Sequence, residues 1–511
     1  MISCVEYLEA TEKRFPDKTA VVDTSGRYSF SDLRSSSIRM ANLIPELPSN
    51  SPIAVLLPKS FDALTAFLGV LYSRNFYAPV DPKIPVERIA TILSDLRPRV
   101  IITRQKFAAQ AESLAGEIGA EVLLIEDASA LEWDEPSESR HMRWQKGVDT
   151  DPVYCIYTSG STGDPKGVMI SHRCVFDFID WVEETFAVDE AYVLGNQSPL
   201  VFDVSVLDIY SMLKCGCEMH FIPEMFFSFP AKLLDYVVEN RINFIIWVPS
   251  VLINVANSGI LDGRDLANLK FVLFAGEVMP CKQLNSWIRA VPSAGFGNLY
   301  GPTEATVIAT YYMVDREFED GDSLPIGKAC KNVEAHVLNE AGEFVGEGEI
   351  GELCLRGSSL AMGYLGDREK TDQAFIQTPV HDRYVDLLYR PGDLVERGGD
   401  GNLLYLGRKD SQIKHMGYRI ELGDIENVLG GFEDLEHWCV VYDKEKSEIV
   451  VFYVGRGQEI EDRDLRSFLA AKLPRYMVPA RFIEKTNLPT NQSGKIDRRL
   501  LIDTLASGEE A

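Results

Sequence analysis

The chain has 511 residues, 46% of them hydrophobic and 25% charged, with a formal net charge of −26. That length exceeds one ordinary core, so two or more domains are expected, and the composition is that of a globular protein. The acidic balance argues against nonspecific nucleic-acid or membrane-surface binding, and no apolar run is long enough to span a bilayer.

The chain begins Met1-Ile2-Ser3-Cys4 with no basic or apolar export signal, and its nine cysteines are scattered through apolar stretches. Both features point to a cytoplasmic protein with reduced core thiols. Residues 53–57 (IAVLL) read as a buried strand, and residues 61–71 carry apolar side chains at helical spacing. Residues 99–103, 121–125 and 153–156 are further short strands, and the pattern recurs at 244–248 and 271–274. Strands alternating with helices imply mainly parallel sheets covered by helices. Cys215-Gly216-Cys217 has no partner Cys/His pair at ligand spacing, so buried structural thiols are expected there instead of a metal site. After about Gly321 the texture shifts to short strands with glycine turns, as at 336–338 and 351–355, which implies a smaller β-rich subdomain. A boundary near Gly407-Arg408-Lys409-Asp410 gives domains over 1–407 and 408–511, with strands expected at 440–442 and 449–454 of the second. The expected fold is α/β: a large N-terminal domain of helix-covered, mainly parallel sheets plus the β-rich subdomain, then a small α+β domain.

Four segments carry chemistry. Thr158-Ser159-Gly160-Ser161-Thr162-Gly163-Asp164-Pro165-Lys166 leaves the strand at 153–156. A glycine-rich turn after a strand lets backbone N–H groups converge on an anion, and the hydroxyls and lysine add donors and charge. The spacing is not that of the Walker loop, yet composition and position favour a phosphate cradle over an ordinary surface loop. Asn298-Leu299-Tyr300-Gly301-Pro302-Thr303-Glu304 combines an aromatic ring, a hydroxyl and a carboxylate, which suit base stacking, phosphate contact and a magnesium ligand. Asp393, after the turn at 389–392, suits bidentate binding of ribose hydroxyls. Asn491-Gln492-Ser493-Gly494-Lys495 places a lysine in a turn near the C-terminus. Each segment alone has an ordinary structural explanation; their joint order does not.

This series resembles the adenylate-forming (AMP-binding) superfamily, and within it the amino-acid adenylation domains and aminoacyl-carrier-protein ligases. The resemblance runs over essentially the whole chain. It implies two half-reactions: a carboxylate attacks the α-phosphate of ATP, and a phosphopantetheine thiol then displaces AMP to give a thioester. It further implies that Thr158, Ser159, Gly160, Ser161, Thr162, Gly163 and Lys166 hold the β- and γ-phosphates. Tyr300 stacks on adenine, Asn298 meets its exocyclic amine, and Asp393 and Arg408 hold the ribose. Thr303 meets the α-phosphate, Glu304 binds Mg2+, and Lys495 bridges carboxylate and α-phosphate during adenylation. The resemblance also implies that the small α+β domain is mobile: Asp410 falls at the hinge, about which that domain rotates to bring residues 414–417 toward the thiol.

The segment Phe202-Asp203-Val204-Ser205 resembles that of the amino-acid-activating members, where the aspartate pairs with the substrate ammonium. A buried charge needs a partner; the competing explanation is that Asp203 caps a helix over 206–213. The remaining pocket positions implied by the resemblance are Val204, Leu207, Trp247, Leu273, Ala275, Leu299, Val307 and Ile308, all apolar. Such a lining suits a small neutral amino acid, with Trp247 taking up the volume a large aromatic substrate needs. It is most similar to that of prolyl-carrier-protein ligases, so L-proline is the first expectation, with D-alanine or another small aliphatic acid the alternative. D-alanyl-carrier-protein ligases typically have cysteine where this chain has Ala275. No carrier domain follows Lys495, which leads to the expectation of a separate phosphopantetheinylated carrier protein, with Lys472, Arg475, Arg481 and Lys485 as a basic docking cluster or merely a solvated face. An acyl- or aryl-CoA ligase is disfavoured by Asp203, a noncatalytic nucleotide-binding scaffold by the intact motif set, and a synthetase acting on tRNA by the net charge.

Overall fold

The computed structural model describes residues 1–131, 140–159, 165–409, 412–457, 460–489 and 496–507. It divides into two compact units: residues 1–82, 93–157 and 167–409, and residues 83–92, 158–166 and 410–511.

In the first unit a nine-stranded sheet runs, in spatial order, Lys328–Ala329, Thr310–Val314, Gly295–Tyr300, Phe271–Ala275, Phe244–Trp247, Val193–Asn196, Glu218–Phe221, Thr19–Asp23 and Gly26–Ser29. Its inner strands pair in parallel and its edges antiparallel. The inner strands read as unbroken apolar runs because both faces of such a sheet are covered. A second sheet of seven strands contains Pro52–Leu56, Phe76–Val80, Val100–Thr103, Glu121–Leu124, Pro152–Thr158 and Lys166–Ser171. The helices that cover these sheets start where short polar side chains satisfy orphan N–H groups. Ser60 Oγ accepts from Ala63 N to open Phe61–Tyr72, and Ser171 Oγ accepts from Cys174 N to open His172–Phe186. Ser29 and Asp32 form a reciprocal capping box at Phe30–Leu43.

The β-rich region after Gly321 is a six-stranded antiparallel sheet spanning Val333–Leu338 to Leu403–Arg408. One piece departs from the sequence reading. The two-residue strand Gly363–Tyr364 leaves this sheet and pairs with Val168 and Met169 on the edge of the seven-stranded one.

Strand alternation sorts the core of the nine-stranded sheet into two clusters. Phe244, Ile246, Leu273, Ala275 and Leu299 join the larger one, while Ile245, Trp247, Val272, Phe274 and Phe296 join the other. All nine cysteines are buried and free, as the sequence suggested. His172 is buried too. Its Nδ1 accepts from Cys4 N at 3.2 Å, and burial pushes its pKa down to about 4, so the ring stays neutral.

The second unit contains the hairpin Gln412–His415 and Tyr418–Glu421, turned by Met416 and Gly417 at φ 52° and 81°. It also contains a three-stranded sheet of Leu435–Asp443, Glu448–Gly455 and Arg481–Glu484 with a core of its own. The basic cluster proposed for docking is partly neutralised there: Arg481 pairs with Asp443 at 2.6 Å and Glu448 at 3.0 Å. Among the described residues no helix is long and apolar enough to cross a membrane.

Candidate active site

In the first unit, the strand Gly295–Tyr300 delivers Asn298, Leu299 and Tyr300 at its C-terminal end, the usual place for ligand sites in open parallel sheets. Tyr300 is buried and its hydroxyl donates to Asp393 Oδ2. Arg408 Nη1 donates to Asp393 Oδ1 at 3.0 Å, and the adjacent strands Asp393–Arg397 and Leu403–Arg408 hold the two side by side. Three residues far apart in sequence thus meet around one buried carboxylate. Burial and the neighbouring Asp393 charge raise the Tyr300 pKa well above its ordinary value, so the phenol remains a donor. Asn298 Nδ2 donates to Pro325 O at 2.8 Å, which orients its carboxamide oxygen as the acceptor end.

A short 3-10 turn, Thr303–Ala305, follows Tyr300. Thr303 is half-buried, whereas Glu304 is fully buried. Glu304 Oε1 accepts from Tyr364 Oη at 2.8 Å, and its backbone oxygen accepts from Ala361 N at 2.8 Å. Tyr364 is a functional candidate that sequence reasoning missed, because it sits sixty residues downstream on the displaced two-residue strand and no spacing signal links it to Glu304. Among the described residues no cluster of three or more His, Cys, Asp or Glu side chains is placed to hold a metal alone. One carboxylate oxygen donor nevertheless fits a magnesium ion held otherwise by phosphate oxygens and water.

Asp203 is half-buried at the head of the helix Val204–Cys215, which begins two residues earlier than the sequence periodicity suggests. Its backbone is right-handed helical, with φ −64° and ψ −25°, and its side chain makes no cap hydrogen bond. The capping explanation for this residue is therefore not realised. Leu207, Leu273, Ala275, Leu299, Val307 and Ile308 all fall in the larger core cluster, with Val204 packed against it. Ala275 pairs directly with Leu299 across the sheet.

Trp247 does not join them. It shares a ladder row with Phe274, one residue out of step with Leu273 and Ala275, so alternation turns it toward the second cluster. There it is fully buried, its Nε1 donates to Gly195 O at 2.9 Å, and Phe227 meets its ring edge-on at 5.8 Å. The expectation that Trp247 fills substrate volume is corrected accordingly: its bulk fills the core.

A buried polar group beside this region was also not foreseen. Asp208, fully buried in the same helix, accepts from Asn196 Nδ2 at 2.7 Å, while Lys59 Nζ donates to Asn196 Oδ1 at 3.2 Å. Burial pushes the Asp208 pKa up to about 7, against the Asn196 hydrogen bond and the Lys59 charge.

In the second unit Thr158 closes the strand Pro152–Thr158 with a buried hydroxyl that has no hydrogen-bond partner among the described residues, and Lys166 opens the strand Lys166–Ser171. Gly160, Ser161, Thr162, Gly163, Asp410 and Lys495 lie outside the described residues.

The description "AMP-binding enzyme" matches residues 8–365, and "AMP-binding enzyme C-terminal domain" matches residues 424–495. D-alanine--D-alanyl carrier protein ligase of Bacillus licheniformis is 31% identical over 97% of this chain and 98% of its own length. Bacitracin synthase 1 of the same species is 34% identical over 97% of this chain, but the chain spans only 9% of that protein, and only 44% of Tyrocidine synthase 1 of Brevibacillus parabrevis. Among solved structures, the Vibrio cholerae adenylation domain AlmE in complex with glycyl-adenosine-5'-phosphate superposes with a TM-score of 0.83 over 99% of this chain and 98% of that one, at 23% identity, and so shares the fold. The family matches over residues 8–365 and 424–495, together with a relative covered almost end to end, place this chain in the AMP-binding enzyme family.

Proposed function

We propose that the protein uses ATP and Mg2+ to convert a small neutral amino acid to its aminoacyl-adenylate, then passes the acyl group to the phosphopantetheine thiol of a carrier protein. In the first step a carboxylate oxygen attacks the α-phosphorus and pyrophosphate leaves. In the second the thiol sulfur attacks the acyl carbonyl and AMP leaves. The observation that carries the amino-acid part is Asp203, a half-buried carboxylate not used as a helix cap, at the head of a helix whose Leu207 belongs to an apolar core shared with Leu273, Ala275 and Leu299. An ammonium group is the natural counter-charge for it, and an apolar side chain suits the rest.

Within this reading Tyr300 supplies the adenine-stacking ring, and Asn298 accepts from the exocyclic amine through the oxygen left by the Pro325 contact. Asp393, already held by Tyr300 and Arg408, has further lone pairs for the ribose hydroxyls. Thr303 meets the α-phosphate, and Glu304 would hold a magnesium ion, which would supply charge neutralisation at the phosphates. Thr158, Ser159, Gly160, Ser161, Thr162, Gly163 and Lys166 cradle the phosphates, and Lys495 adds a point charge where negative charge builds up. The core spans 1–407, and a lid over 408–511 turns about Asp410.

L-Proline is the first substrate candidate, on the apolar, compact lining. D-alanine is the second, favoured by the carrier-protein ligase that matches over nearly its whole length. ATP–pyrophosphate exchange across D- and L-amino acids, beside carboxylic acids lacking an amine, tests both levels. Silence with proline and strong exchange with D-alanine would replace the first candidate by the second. Exchange driven only by amine-free acids would refute the amino-acid reading.

A further inference from the structure

Two consecutive β-branched residues, Thr306 and Val307, hold left-handed backbone with φ 52° and 71°. A branched Cβ collides with its own backbone in this region, so such a pair persists only where the surroundings over-determine it. Here they do. Thr306 is fully buried, and its Oγ1 donates to Ser359 O at 2.6 Å. Ile308 N closes back on Thr306 O at 2.9 Å, and Ala309 N on Tyr300 O at 2.8 Å. On the inner side of the turn stands Gly301, where a Cβ would lie 2.3 Å from Val307 O. The turn thus nests on a glycine on one side and hangs from a carbonyl of the 359–364 segment on the other. Its effect is to deliver Val307 and Ile308, both buried, into the core shared with Ala275 and Leu299.

We propose that Thr306 is a positioning residue for acid selection: its hydroxyl, anchored on Ser359, locks the left-handed turn that sets Val307 and Ile308 as a wall of the amino-acid pocket. This rests on the amino-acid reading of that pocket. Without the anchor the turn relaxes toward negative φ, and the wall withdraws while the adenine and ribose contacts on Tyr300 and Asp393 remain. A positioning role therefore separates the two substrates.

The test is Thr306→Val, which keeps the shape and removes the donor, beside Thr306→Ser, which keeps the donor. In amino-acid-dependent exchange, Thr306→Val is expected to raise the KM for the acid about tenfold or more and to leave the KM for ATP within about twofold. It should also blur the discrimination between acids differing by one methylene. Thr306→Ser should return the acid KM to within about threefold of the parent. If Thr306→Val does not fold, Thr306→Ala, which removes the donor together with the branched Cβ that strains the turn, reads the same loss of acid discrimination. An unchanged acid KM with a lowered Tm, or equal rises for acid and ATP, would make Thr306 merely structural and overturn the proposal. Retained discrimination in Thr306→Ala would do the same. If the parent protein shows no exchange with any amino acid, the functional reading fails and takes this inference with it.

Discussion

Replacing Tyr364 by Phe removes one oxygen from a well-buried pair and leaves the ring in place. The hydroxyl donates at 2.8 Å to Glu304, whose side chain is 0% exposed, so no water takes over the lost donor without local opening. A hydrogen bond to a charged group contributes about 1.5–3 kcal/mol, and the carboxylate left behind loses that much of its solvation. Two measurements divide the effect. Thermal unfolding should show Tm falling by at least about 2 °C. In pyrophosphate exchange the magnesium concentration for half-maximal rate should rise by about tenfold or more, since 1.4 kcal/mol is a factor of ten. Mn2+ binding to the ATP complex, followed by its paramagnetic resonance signal, checks the second effect without turnover. Glu304→Gln supplies the reference. If Glu304→Gln shifts the metal requirement and Tyr364→Phe leaves both Tm and metal requirement unchanged, the contact carries no weight and the reasoning from burial is wrong.

Trp247→Ala should cost about 3–5 kcal/mol of stability and leave acid selectivity as it was, because the indole fills the second core cluster; a stable variant that newly accepts large aromatic acids would return Trp247 to the pocket. Asp203→Ala should raise the acid KM by about thirtyfold or more with little change in the KM for ATP, the loss expected when one partner of a close charge pair is removed. An unchanged acid KM would refute the ammonium pairing. For Asp208 the pH dependence has a definite sign. Its folded pKa, about 7, lies above the ordinary 3.8, so the unfolded chain gives up this proton first and stability falls as pH rises from about 4 to 7, then levels. Asp208→Asn should therefore be increasingly stabilised relative to the parent over that window, by up to about 4 kcal/mol in all, of which thermal scans at pH 5 and pH 8 should read about 3 kcal/mol. A pH-independent difference would refute the assignment.

Local order was legible because it is written in local pattern. Unbroken runs such as residues 244–247 announce doubly covered strands. What sequence patterning did not reveal is governed by contacts between distant segments. The migration of Gly363–Tyr364 to another sheet is invisible in a two-residue string. The direction in which Trp247 points depends on ladder register, and a shift of one residue reverses it. An aligned motif assigns a position to the pocket, but only register assigns the side chain.

The same distinction separates the polar residues proposed for the nucleotide from the apolar ones proposed for the acid. Tyr300, Asp393 and Arg408 were brought together only by the resemblance, and the structure joins them around one carboxylate, as polar groups buried together must satisfy one another. The acid end is apolar, and apolar residues impose no such pairing: Leu273 and Phe274 are equally buried and face opposite cores. There, selection depends on backbone placement, which is why the left-handed pair at Thr306 and Val307 carries more information about the pocket than the identities of the residues that line it. Two chains with the same apolar residues at these positions should differ in acid choice wherever the anchor on Ser359 differs, and identity at those positions alone does not determine the substrate.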